Sequence, residues 1–103
     1  MSLRIEFPAL VKEIGALEPL KTGFQQNNIV HIPESNDEFG YKRHEQFFTV
    51  RVYSNNQTDS RFFKSDLIGQ KKIICAYLNG RRYMQQGKFD YTYYMQLNFV
   101  EFK

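Results

Sequence analysis

Residues 45 to 79 read EQFFTVRVYSNNQTDSRFFKSDLIGQKKIICAYLN. Over Glu45 to Tyr53 the residues Phe48, Val50 and Val52 fall on one side of an extended chain, with Phe47, Thr49, Arg51 and Tyr53 on the other. That is the period of a strand. Lys72 to Asn79 is rich in β-formers and sets Ile74, Ala76 and Leu78 against Ile73, Cys75 and Tyr77. Between the two the alternation stops. Thr58 or Asp59 can cap a helix there, Phe63 and Leu67 stand four apart, and Gly69 can end it. The stretch predicts strand, short helix, strand.

Working outward, Asp90 to Phe102 alternates over its whole length, with Tyr91, Tyr93, Met95, Leu97 and Phe99 against Thr92, Tyr94, Gln96 and Asn98. It is joined to the preceding strand through Asn79-Gly80 or through a longer hairpin ending near Gly87. Towards the amino terminus, Ile5 to Ile14 puts Ile5, Phe7, Ala9 and Val11 on one side, with Pro8 marking an edge or bulge. Gly15 to Gly23 reads as a loop, Phe24 to Ile32 as a strand, and Pro33 to His44 as a polar, flexible connection. The expected fold is therefore all-β with one short helix. Five strands with the helix between strands 3 and 4 is the serial order of the OB-fold, a five-stranded Greek-key barrel. At 103 residues the whole chain, 1 to 103, is expected to be a single OB-fold domain.

Charge is distributed unevenly. Residues 1 to 40 hold three basic and six acidic side chains, residues 41 to 103 eleven and five. Most of the Phe and Tyr residues lie in that basic part, which supplies cations for phosphates and flat rings for bases. Catalytic signatures are missing by contrast. The carboxylates of the basic part, Glu45, Asp59, Asp66, Asp90 and Glu101, are widely spaced, Cys75 sits in an apolar run, and no phosphate-loop motif occurs. One cysteine and two distant histidines, His31 and His44, make neither a disulfide nor a usual zinc set, and both histidines read as ordinary polar residues. Neither an enzyme nor a cofactor or metal is expected. No run approaches the ~20 apolar residues of a membrane helix and the start is not that of a secretory signal, so a cytoplasmic location without membrane contact is expected.

The segments FFTVRVYSN, SRFFKSDLIG and QKKIICAYLNGRRYMQQGKFDYTYYMQLNF resemble the bacterial single-stranded DNA-binding proteins and their relative, primosomal replication protein N. The shared pattern is a third strand (Phe48 to Tyr53), a helix closed by Gly69, an apolar strand (Ile74 to Leu78), the run Arg81-Arg82-Tyr83, and a tyrosine-containing last strand (Tyr91 to Phe99). The resemblance implies an OB-fold that binds single-stranded DNA, with RNA also admitted, in replication, recombination or repair. It also implies a homo-oligomer, a dimer or tetramer. The family's replication members carry a tail with an acidic tip that recruits other proteins; this chain stops at FVEFK, so recruitment by that route is not expected.

Two groups are the binding candidates. Arg81, Arg82 and Tyr83 leave the fourth strand together, with Lys88 and Phe89 on the returning arm. Phe47, Arg51 and Tyr53 share the face of the third strand opposite its apolar stripe, and Tyr77 shares the corresponding face of the fourth. Phe63, Tyr93 and Phe99 are expected in the core. The competing reading is an oligomeric assembly or protein-interaction module whose aromatic face is a subunit contact.

Overall fold

The computed structural model describes residues 3–84, 87 and 91–103, the side chains of 83 and 91–94 apart. Its long strands are β1 (Leu3–Glu13), β3 (Phe24–Ile32), β6 (Gln46–Ser54), β7 (Lys71–Met84) and β8 (Tyr91–Phe102). Short strands β2 (Glu18–Pro19), β4 (Ser35–Asn36) and β5 (Lys42–Arg43) lie in the connections. No helix among the described residues is long and apolar enough to cross a membrane.

Each long strand pairs with two others. β1 lies between β3 and β7, β8 between β7 and β6, and β3 between β6 and β1. All these pairings are antiparallel except β6 with β8. The two closing contacts are short: Leu10 to Glu13 of β1 against Ile29 to His31 of β3, and Val50 and Arg51 of β6 against Leu97 and Asn98 of β8. Away from them the strands splay, and β7 and β8 run on beyond Leu78 as a two-stranded ribbon paired through Met84 and Tyr91.

The period-two apolar positions become the core. Val11, Val30, Val50, Val52, Ile74 and Ala76 are fully buried around the axis. Phe62 and Phe63 close one end, where Phe63 meets Phe99 edge-on at 5.0 Å and Phe102 at 5.1 Å. At the other end Phe7 and Phe48 meet edge-on at 6.1 Å and leave a groove beside them.

The expected helix over the 58–69 stretch is a correction. The chain instead makes successive turns and a single 3-10 turn, Ser65–Leu67, before Gly69 at a φ of 84°. Two local preferences override the helical spacing. Asp59 folds back on its own backbone, its carboxylate accepting the Arg61 N–H at 2.9 Å. Phe63 cannot donate its N–H within a helix because Gln26 Oε1 takes it at 2.7 Å, while Gln26 Nε2 donates to the Phe63 carbonyl at 3.0 Å. Adjacent Phe62 and Phe63 are thereby both buried, which one helix face does not permit.

Candidate nucleic-acid interface

Register, rather than sequence proximity, assembles the outward-facing site. Asn27 of β3 is opposite Arg51 of β6, Arg51 opposite Asn98 of β8, Asn98 opposite Tyr77 of β7, and Tyr77 opposite Arg4 of β1. Side chains of register partners emerge on the same side of a sheet. With strands about 4.8 Å apart, Arg51 and Tyr77 stand roughly 10 Å from each other across Asn98. Further along β7 the same parity brings Asn79 opposite Gln96 and Arg81 opposite Tyr94. Phe47, Arg51, Tyr53, Tyr77 and Arg81 therefore share one outer face of β6, β8 and β7.

The rings on this face are anchored. His31 Nε2 meets Glu45 Oε2 at 2.9 Å, and the imidazole stacks on Phe47 at 4.5 Å with planes 11° apart. Phe47 still exposes half of its surface. Arg51 donates from Nε to Gln25 Oε1 at 2.9 Å and lies over the Tyr53 ring at 5.2 Å from its centroid. That contact uses Nε and not the terminal nitrogens of the guanidinium. The Tyr53 hydroxyl donates to the Thr22 carbonyl at 3.3 Å and lies 3.1 Å from Thr22 Oγ1. Gly23 makes this possible, because a Cβ there would sit 2.9 Å from that hydroxyl and 2.7 Å from the Ser54 carbonyl.

The predicted residues divide in three ways. Arg82 is exposed but has the parity of Leu78 and Gly80, and so belongs to the opposite face of the ribbon from Arg81. Tyr83 is opposite Thr92 in register and its side chain lies outside the described part; Lys88 and Phe89 lie outside the described residues altogether. His31, read from sequence as an ordinary polar residue, is the support of the Phe47 ring.

Two features were not read from sequence. Between β3 and β6, Asp37 Oδ1 accepts the Phe39 and Tyr41 N–H groups at 2.9 and 2.8 Å, Gly40 takes a φ of 82°, and both rings are thrust into solvent beside Lys42 and Arg43. The signal was the Asp-x-Phe-Gly-Tyr order inside the polar connection. The second is a groove of about 620 Å³ at the end of the core away from Phe62 and Phe63. Phe7 and Phe48 meet edge-on across it at 6.1 Å, Leu78 and Leu97 line it further, and Phe47 and Met95 stand at its rim. Among the described residues no three His, Cys, Asp or Glu side chains gather into a metal-ligand set.

The sequence matches no protein-family model and no curated protein. The fold does have a solved counterpart. The crystal structure of the small single-stranded DNA-binding protein from Streptomyces coelicolor superposes with a TM-score of 0.64 at 15% identity, covering 100% of this chain and 94% of that one. At that identity the likeness is one of fold. This chain has an all-β, OB-like fold with almost no helix.

Proposed function

We propose that this chain binds single-stranded DNA with little sequence preference, without catalysis, on the outer face of β6, β8 and β7. The observation that carries the reading is the register row through Arg51, Asn98 and Tyr77, which turns two separate sequence candidates into one surface of rings and cations. Likeness of fold to a single-stranded DNA-binding protein supports it, as does the basic balance of residues 41 to 103. The Phe39 and Tyr41 hairpin leaves and rejoins the sheet at the His31 and Phe47 end and extends the same surface.

In this reading the ring of pairings is the five-stranded OB Greek-key barrel, with the turn-rich segment holding the place of the helix between its third and fourth strands. Self-association as a dimer or tetramer belongs to it, supported by the edge of β1 over Leu3 to Ala9 that faces away from β7. The process served is replication, recombination or repair in the cytoplasm.

Titration of the protein with fluorescent oligo-dT across a salt series tests the proposal. Affinity is expected to fall steeply as salt rises, because each neutralised phosphate releases counterions, and a duplex of equal length should bind more weakly because its bases are already stacked. No binding to oligo-dT at low salt, or equal affinity for both forms, would leave an assembly module as the better reading.

A further inference from the structure

We infer that the groove beside Phe7 and Phe48, at the end of the core away from Phe63, receives one unstacked nucleobase of a bound strand; this rests on the single-strand reading. Along β6 the outward side chains Tyr53, Arg51, Thr49 and Phe47 follow one another at about 6.6 Å, two residues of strand rise. A strand laid along them from Tyr53 arrives at Phe47, and Phe47 is also a wall of the groove. His31 covers one face of that ring. The nucleotide that follows a base stacked near Phe47 therefore stands beside the mouth of the groove.

What the opening offers matches the two kinds of surface on a base. Its walls are the apolar side chains of Ile5, Phe7, Phe48 and Leu78, suited to the flat faces. Gln46, which has the parity of Phe48 on β6, stands at its lining with an amide suited to the polar edge. Glu6, the carboxylate in the lining, is engaged by Lys103 Nζ at 2.9 Å. Beyond the mouth, the groove-side face of the ribbon carries Gly80 opposite Met95. A purely apolar partner would leave the amide unused.

Met95, three-quarters exposed at the rim, is a built-in reporter, and Met84 on the ribbon is its internal reference. Protein labelled at the methionine methyl carbons is titrated with oligo-dT, and with an oligomer of the same length made of abasic deoxyribose phosphates. The expected result is a ring-current displacement of the Met95 methyl resonance with oligo-dT, larger than that of Met84, and none with the abasic oligomer. Phe48→Trp, which fills the floor, should remove the displacement and weaken oligo-dT binding about fivefold, the lower end of the loss of one stacked base.

Oligo-dT that binds without displacing Met95 overturns the inference and leaves the single-strand reading standing. Absence of oligo-dT binding overturns both. A Met95 displacement that follows protein concentration without DNA assigns the groove to a second copy of the chain and overturns the inference, as does a folded Phe48→Trp protein with parental affinity and an intact Met95 response.

Discussion

The side-chain amide of Gln26 accepts the Phe63 N–H at 2.7 Å and donates to the Phe63 carbonyl at 3.0 Å and to the Gly15 carbonyl at 3.2 Å. Asn28, wholly buried beside it, donates to Gln26 Oε1 and accepts the Gly15 N–H, both at 3.1 Å. Replacing Gln26 by Leu keeps the volume and strands the Phe63 backbone groups. A loss of about 2–5 kcal/mol is expected from two buried polar groups left unpaired, read as a lower urea midpoint. Asp59 is the second residue on which the turn segment depends. Hydrogen bonds from the Arg61 side chain and backbone, and from Ser54 Oγ at 2.8 Å, hold its carboxyl well below the usual carboxylate range. Its stabilisation is therefore complete above the unfolded value of 3.8 and disappears as pH falls below it. Urea midpoints at about pH 5 and about pH 3 should fall more for the parent than for Asp59→Asn. On the binding face, Tyr77→Ala should cost about 1–3 kcal/mol of oligo-dT affinity with an unchanged salt slope, whereas Arg81→Ala should lower the slope by about one contact. Parallel titrations over a salt series distinguish the two.

Among elements, the strands were the legible part. Phe24 to Ile32 is the residue range expected, and the alternation at Phe48, Val50 and Val52 became a buried stripe as read. A strand's period survives into the fold because one face must be dry. The helix was not legible for a related reason: its fate was decided by Gln26 and Asn28, polar residues on the inner face of another strand, and local spacing carries no information about a partner 37 residues away. Site residues follow the same division. The faces of Phe47, Arg51, Tyr53 and Tyr77 could be read from parity, but their union on one surface needed the parallel register of β6 and β8. The link from β1 into β3 adds an element-scale prediction. A Cβ on Gly15 would stand 2.1 Å from the Asn27 carbonyl oxygen, a backbone atom that cannot swing aside. Gly15→Ala is expected to lower stability by about 1–3 kcal/mol, the usual cost of overpacking, in equilibrium unfolding.

On the scale of the molecule, β1 and β8 flank β7, and their outer side chains lock across it. Arg4 Nη2 meets Glu101 Oε1 at 3.2 Å and Lys103 Nζ meets Glu6 Oε2 at 2.9 Å, over the buried Cys75 opposite Glu6 and Glu101. Each pair joins residues 97 apart in the chain. During synthesis the first strand emerges long before β7, its partner over Leu3 to Leu10, exists, with only Leu10 to Glu13 able to find β3 early. Its apolar side, Ile5 and Phe7, must wait on the ribosome until β7 has been made. Such distant closure makes folding slow and leaves an unpaired strand exposed in the interval. Nascent β1 is thus the segment on which a holdase chaperone would be expected to act, and its release is timed by the appearance of β7.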